Sequence, residues 1–171
     1  KDRLTRPLKD LTKESIFNII NHSNKFSINL KKSKILDLFS GIGSFGIECL
    51  SREAQYVTFV ENYSGVLPIL KKNLASLKNL NNFEIIKKDI FDNFNFKNFN
   101  KEFDIIFLDP PYKEKNIENL IYLLFENKNL KSDGIIIIHR HYKQKDLFPK
   151  YFKVIEEKKY GISKILIGTY D

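Results

Sequence analysis

Five short apolar runs alternate with amphipathic stretches along this chain, and this alternation restricts its fold more than any other feature. The runs lie at residues 35–39, 57–61, 83–86, 104–108 and 134–139. Helical patterns fill the gaps at about residues 44–52, 64–77 and 117–127. Strands that alternate with helices form parallel sheets covered on both faces, and the runs IIFLD and IIIIH are apolar enough for central strands. We therefore predict an α/β fold with helices on both faces of the sheet.

The two ends of the chain depart from this alternation. The final stretch, FKVIEEKKYGISKILIGTYD, holds two strand-like runs joined through Gly161, with no room for a crossover helix. It predicts an antiparallel hairpin at the sheet edge, which makes a seven-stranded, mostly parallel sheet. The stretch RPLKDLTKESIFNII predicts an amphipathic helix over about residues 12–21, and residues 92–103 predict a loop over the sheet.

Length and composition narrow the class of protein. A chain of 171 residues fits one domain, which we divide into an N-terminal substrate or lid segment (1–30) and a core (31–171). The excess of 29 Lys and Arg over 21 Asp and Glu gives a net charge of +8, which favours a polyanionic partner. The single Cys49, expected in the core, excludes an internal disulfide and predicts a reducing compartment. No apolar run reaches the roughly 18 residues of a membrane span. We expect a cytoplasmic monomer without a membrane partner.

Three glycines follow the first predicted strand. Gly41, Gly43 and Gly46 have the G-x-G-x-x-G spacing of dinucleotide-binding turns, at the strand end where ligands of parallel sheets bind. Asp37 lies inside that strand, and its carboxylate would repel a pyrophosphate but attract an ammonium group. S-adenosylmethionine carries an ammonium and a sulfonium and no phosphate, so the pattern favours it over NAD. Glu61 closes the second strand, where it can accept ribose hydroxyls of either cofactor. The alternative for both carboxylates is capping of strand-end loops.

The second motif follows the fourth predicted strand as Asp109-Pro110-Pro111-Tyr112. An exocyclic amine of a base is a weak nucleophile because its lone pair is delocalised into the ring. The Asp109 carboxylate and the Pro110 carbonyl can accept both amine hydrogens and turn the lone pair towards an incoming methyl group. Tyr112 can stack on the base and hold it in line. The alternative is that these prolines only end a strand, but the donor motif in the same sheet favours base methylation.

Together these motifs resemble the RsmD-like family of 16S ribosomal RNA guanine-N2 methyltransferases, within the Rossmann-like class-I S-adenosylmethionine-dependent fold. The resemblance covers most of the chain. The segment RPLKDLTKESIFN is similar to the family's Arg-Pro-Thr…Arg-Glu-x-Leu-Phe-Asn pattern, and LDLFSGIGSFGIECLSREA, Glu61 and DPPY match its other motifs. Two positions depart from the family pattern: Lys13 stands in place of the usual Arg, and Leu8 in place of Thr.

The resemblance implies a role for each matching residue. Catalysis is assigned to Asp109, Pro110, Pro111 and Tyr112. The S-adenosylmethionine site is assigned to Asp37, Phe39, Ser40, Gly41, Gly43, Gly46, Glu61, Asn62, Asp89 and Ile90. Asp89 is expected to meet the adenine amine. Candidate RNA contacts are Arg6, Lys13, Arg140 and His141, with a structural lid and a solvated loop as the alternatives. The two histidines of HRHYKQK are too few for a metal site, so we expect no metal.

The implied reaction is methyl transfer to the exocyclic N2 of a guanine in 16S ribosomal RNA. The expected partner is small-subunit ribosomal RNA, presented with bound ribosomal proteins. Two alternatives stay open: a DNA adenine-N6 methyltransferase, which also uses Asp-Pro-Pro-Tyr, and a catalytically silent RNA-binding module. Against the first, Gly41 and Asp109 are only 68 residues apart and nothing resembles a target-recognition domain. Against the second, both motifs are intact.

Overall fold

The computed structural model describes residues 10–77, 80–92, 94–99 and 101–171. Within these ranges the chain forms four α-helices and seven β-strands. The helices are α1 (Asp10–His22), α2 (Ser44–Ser51), α3 (Leu67–Ala75) and α4 (Ile117–Glu126). The strands are β1 (Lys34–Leu38), β2 (Tyr56–Glu61), β3 (Phe83–Lys87), β4 (Phe103–Leu108), β5 (Leu130–His141), β6 (Phe152–Tyr160) and β7 (Ser163–Tyr170). No helix of the described ranges has the length and apolar character needed to cross a bilayer.

All seven strands join one sheet in the order β3-β2-β1-β4-β5-β7-β6. Strands β1 to β5 are parallel, and β7 runs antiparallel between β5 and β6. The predicted seven-stranded sheet with a C-terminal hairpin is confirmed. After β3 the chain crosses back to place β4 on the other side of β1, so strand order reverses between β1 and β4. Ligands of open α/β sheets bind at this reversal, beyond the carboxyl ends of the strands.

Successive residues of each strand point to opposite faces, which divides the core into two layers. Ile35, Phe107 and Ile137 pack with residues of α1, α2 and α3 on one face. Leu38 and Ile138 pack with α4 and with the short 3₁₀ turn at Phe96–Phe99 on the other. Helices therefore cover both faces, as predicted. The segment predicted as a plain loop, residues 92–103, includes this turn and buries its Phe96 and Phe99 rings in the core.

The N-terminal helix α1 packs against α2, the helix that follows Gly43. Its Phe17 ring stacks on Phe45 of α2 with centroids 5.4 Å apart, and Phe45 in turn stacks on Phe107 of β4 at 4.1 Å. The Arg52 guanidinium covers the Phe17 ring at 4.5 Å. Cys49, on α2, is fully buried, as expected. The first helix is thus fixed to the layer that supports the carboxyl ends of the central strands.

Candidate active site

The glycine turn between β1 and α2 has a backbone suited to glycine. Gly41 and Gly43 have φ angles of 54° and 84°, a region that favours glycine, and Phe39 also has a positive φ of 59°. A Cβ added at Gly43 would lie 2.5 Å from a methyl carbon of Leu70, whereas one added at Gly41 would enter open space. Gly41 therefore presents its backbone to the open end of the sheet, where a ligand can approach it closely.

Asp37 is buried beneath this turn. Its side chain accepts a hydrogen bond from the Gly46 N–H at 3.0 Å, which anchors the first turn of α2, and the residue is 1% exposed. Burial raises the pKa of the Asp37 carboxyl well above its ordinary value; the Gly46 bond opposes this rise, and the charges of Asp109 and Glu61 add to it. Because Asp37 is closed off from the surface, a ligand's ammonium group could not contact its carboxylate. The predicted attraction would be an electrostatic interaction at a distance, made by the ionised form.

We expect Asp37→Asn to be more stable than wild type, by a margin that grows as pH rises above about 4. The raised pKa means that the folded state holds the Asp37 proton more tightly than the unfolded state. The free energy of unfolding of wild type therefore falls as pH rises from the pKa of the unfolded state towards that of the folded state. The slope for this one proton does not exceed about 1.4 kcal/mol per pH unit. Asn keeps an acceptor for the Gly46 N–H without the charge. Urea unfolding of both proteins across the pH range measures the difference, and a difference independent of pH would contradict this account.

Glu61 links the end of β2 to the glycine turn. Its Oε2 accepts the Gly41 N–H at 2.7 Å, and its Oε1 accepts the N–H groups of Asn62 and Tyr63 at 3.0 and 2.9 Å. A carboxylate has about four acceptor positions, so three backbone bonds leave about one for a ligand. The expectation that Glu61 accepts both ribose hydroxyls therefore requires one backbone bond to give way.

A small cleft opens beside Glu61. It is lined by Phe39, Val60, Glu61, Asn62, Lys88 and Ile90. Asp89 lies next to it, where its Oδ2 accepts a hydrogen bond from the Asn62 amide at 2.7 Å and its Oδ1 accepts the Phe91 N–H at 2.9 Å. The fold thus brings together donor-site residues predicted from three separate loops. The cleft encloses about 10 Å³, so a nucleoside would lie across its mouth, with a base face against Phe39 and Ile90 and its ribose at Glu61.

Asp109 follows β4 and lies next to the glycine turn. Its N–H donates to the Leu38 carbonyl at 3.3 Å, which joins the Asp-Pro-Pro-Tyr motif to the strand that carries the glycine turn. The Asp109 side chain is 24% exposed, and its Oδ1 lies 2.7 Å from His139 Nδ1. The other ring nitrogen, Nε2, lies 3.0 Å from Ser163 Oγ. Sequence reasoning missed both His139 and Ser163; the available signal was a histidine at the end of the apolar run of β5.

Arg140 does not face the substrate side. It is 1% exposed, and its Nη2 and Nε donate to the Asp146 carboxylate at 2.7 and 3.0 Å. Its guanidinium also donates to the carbonyls of Glu114, at 2.7 Å, and Pro111, at 3.4 Å. The prediction that Arg140 contacts RNA phosphate is wrong, because protein acceptors surround its buried guanidinium. Its role in the structure is to hold the loop that follows Asp109.

The remaining predicted RNA contacts divide into three cases. His141 lies at the site, with its ring 5.4 Å from the Tyr112 ring and stacked on Tyr142 at 4.9 Å. Lys13 lies on α1 with its Nζ 3.6 Å from Glu48, so its charge is partly matched by the protein. Arg6 lies outside the described residues. Contact of His141 and Lys13 with RNA stays a prediction.

Comparison with known proteins places this arrangement in a family. The family model described as Conserved hypothetical protein 95 matches residues 1–169. The chain belongs to this family. Ribosomal RNA small subunit methyltransferase D of Haemophilus influenzae is 35% identical to it over 158 residues, which cover 92% of this chain and 79% of that protein. The predicted membership of the RsmD-like methyltransferase family is therefore confirmed.

Solved structures show that the family's fold is that of methyltransferases. The putative methyltransferase yhhF from Escherichia coli superimposes with a TM-score of 0.79 at 26% identity, covering 98% of this chain and 89% of that one. SMU.776, a putative methyltransferase complexed with SAH, has a TM-score of 0.68 over 94% of this chain and 50% of its own. At 18% identity this second likeness shows the fold alone. The predicted Rossmann-like class-I methyltransferase fold is confirmed.

Proposed function

We propose that this chain transfers a methyl group from S-adenosylmethionine to the exocyclic N2 of a guanine in 16S ribosomal RNA. One observation carries the proposal. The Asp109 carboxylate lies at the reversal of strand order, where its backbone is bonded to the strand of the glycine turn. The chain is also 35% identical to a protein named for methylation of small-subunit ribosomal RNA, which supports ribosomal RNA as the substrate.

The residues around the cleft fit S-adenosylmethionine, which supplies a methyl group on a sulfonium when bound. Phe39 and Ile90 provide apolar contacts for the adenosine, and Glu61 has capacity left for a ribose hydroxyl. Gly41 leaves open space beside its Cα. A cationic ligand would favour the ionised form of the buried Asp37, whose pKa burial raises, and a pyrophosphate would disfavour it further. SMU.776, which has the same fold, is a putative methyltransferase complexed with SAH.

The chemistry of the acceptor side falls to the Asp-Pro-Pro-Tyr loop. Asp109 and the Pro110 carbonyl accept the two amine hydrogens, and neither proline has an N–H that would compete. An amine nitrogen that gains a methyl group carries one surplus proton. Because Asp109 Oδ1 is bonded to His139, Oδ2 is the oxygen assigned to the amine and to that proton, which then passes to water at this partly exposed side chain. Tyr112 stacks on the base and sets its angle.

Methyl transfer to different nucleic acids tests the proposal. Tritiated S-adenosylmethionine is supplied with protein-free 16S ribosomal RNA, with small-subunit particles and with DNA, and the product nucleosides are separated. We expect N2-methylguanine from RNA, in a non-helical segment where the base leaves its stack at low cost. N6-methyladenine in DNA without methylguanine in RNA would overturn the proposal. RNA binding without any methyl transfer would favour the alternative of a catalytically silent RNA-binding module.

We expect Glu61→Ala to weaken the binding of S-adenosylhomocysteine by about 1–3 kcal/mol, the usual cost of leaving buried polar groups unpaired. The variant removes the ligand's acceptor and also the three backbone bonds that shape the turn. Calorimetry measures the affinity, and a melting curve confirms that the variant is folded at the assay temperature. Glu157→Ala, on the edge strand β6, is the matched control. Unchanged affinity in Glu61→Ala, or tighter binding of NAD by wild type, would contradict the assignment.

A further inference from the structure

A chain of hydrogen bonds extends from Asp109 into the protein, away from the target amine. His139 bridges Asp109 Oδ1 and Ser163 Oγ through its two ring nitrogens, at 2.7 and 3.0 Å. His139 and Ser163 are almost fully buried. A buried imidazole is costly without partners, and here each ring nitrogen has one.

The strand pairing brings the three side chains to one face of the sheet. Leu108 of β4 pairs with Ile138 of β5, so the next residues along, Asp109 and His139, are neighbours. His141 pairs with Ser163 of β7, and in an antiparallel pair the two partners lie on the same face as His139, two residues back. The contacts of His139 with Asp109 and Ser163 thus depend on the register of three paired strands.

The hydrogen-bond chemistry determines which nitrogen carries the hydrogen. An ionised carboxylate only accepts, so His139 Nδ1 is the donor to Asp109. In the neutral ring Nε2 is then an acceptor, and the Ser163 hydroxyl donates to it. Ser163 therefore favours the tautomer that Asp109 needs.

The position of His139 points to a role beyond packing. It ends the run IIIIH, where a fifth apolar residue would fill the same buried place without the cost of a polar ring. Its ring also meets the Tyr112 ring edge-on at 6.2 Å, so it contacts both the acceptor and the base-stacking residue of the proposed site. The terminal torsion of an aspartate is soft, and one firm bond to Oδ1 fixes where Oδ2 points.

We propose that His139 is a positioning residue, which holds Asp109 Oδ1 through Nδ1–H so that Oδ2 faces the target amine, with Ser163 fixing its tautomer. The inference rests on the proposed function, because it concerns the acceptor of that reaction. It assigns no contact of His139 with the substrate itself.

Two substitutions of similar size separate positioning from packing. His139→Asn keeps an amide nitrogen at the place of Nδ1 and can still donate to Asp109, whereas His139→Gln places its amide nearer the position of Nε2. We expect His139→Gln to lose kcat by on the order of 10- to 100-fold, as for a reacting group displaced by a fraction of an ångström or more. His139→Asn should retain most of the wild-type kcat. The KM for RNA and the donor Kd should stay within about twofold of wild type in both, since neither ligand is assigned a contact with His139. His22→Gln, at the exposed end of α1, is the control.

A second measurement uses only the wild-type protein, so it does not depend on whether a variant folds. Nitrogen-15 NMR of the wild-type histidine rings reports the tautomer, and we expect His139 to carry its hydrogen on Nδ1. The hydrogen on Nε2, equal losses of kcat in the Asn and Gln variants, or a Gln variant with wild-type kcat would each overturn the inference. These outcomes leave the proposed function intact if wild type methylates RNA. A wild-type protein that transfers no methyl to RNA overturns the proposed function, and with it the positioning role of His139.

Discussion

Asp109→Ala is expected to lower kcat by on the order of 100-fold or more, the loss typical of a positioned acceptor or general base. The carboxylate is the one side chain assigned to both an amine hydrogen and the surplus proton, and it lies partly exposed at the end of β4. The donor cleft beside Glu61 and Phe39 does not include Asp109, so the donor Kd should change little. Single-turnover methyl transfer and calorimetry with S-adenosylhomocysteine measure the two quantities separately.

Asp109→Asn sharpens this test, because it preserves the shape of the side chain. Asn carries one oxygen and an NH₂ group, so if the oxygen stays with His139 the amide hydrogens face the target amine. We therefore expect Asp109→Asn to be nearly as slow as Asp109→Ala. An alanine variant that methylates RNA at close to the wild-type rate would refute the assignment of Asp109.

Arg140→Met is expected to cost about 3–5 kcal/mol of folding stability, the usual cost of removing one partner of a buried ion pair. Asp146, whose side chain is 7% exposed, would be left with an uncompensated charge. The carbonyls of Pro111 and Glu114 would also lose their donor, so kcat should fall as the loop after Asp109 loosens. Urea unfolding gives the stability, and methyl transfer gives the rate.

The double variant Arg140→Met, Asp146→Leu is the control for this prediction. It leaves no buried charge unpaired, so it should recover much of the stability that Arg140→Met loses. The rate should stay low, because the loop carbonyls still lack their donor. A single variant that loses less than about 1 kcal/mol would show that the pair behaves like an exposed salt bridge.

Elements set by local pattern could be predicted from the sequence, and those set by distant pairing could not. The run predicted at 57–61 is strand Tyr56–Glu61. It could be predicted because the strand pattern lies in consecutive apolar residues of the sequence. The run predicted at 134–139 is the longer strand Leu130–His141. Its added residues pair with Phe103 of β4 and Ser163 of β7, which are far away in the sequence.

The same distinction applies to the site. Motif spacing singled out Glu61 and Asp109, because each lies at the carboxyl end of a strand that neighbours β1. Arg140 and His139 are adjacent in the sequence, yet strand alternation sends the first towards Asp146 and the second towards Asp109. No local pattern in HRHYKQK distinguishes a buried arginine from an exposed one. The three backbone donors to Glu61 likewise depend on the shape of two loops that meet only in the folded protein.

The place of β7 between β5 and β6 has a consequence for the order in which a nascent chain acquires its parts. The donor cleft is lined by residues that follow β1, that end or follow β2 and that follow β3, and all of them lie between Phe39 and Ile90 of the 171 residues. Strand β5 keeps a bare edge until β7 has been synthesised, and Ser163 arrives with that strand. An unpaired strand edge can pair with another chain and aggregate. The nascent chain is therefore most prone to aggregation between the synthesis of β5 and that of β7. A chain interrupted before residue 163 would contain every residue of the donor cleft but lack the serine that supports His139.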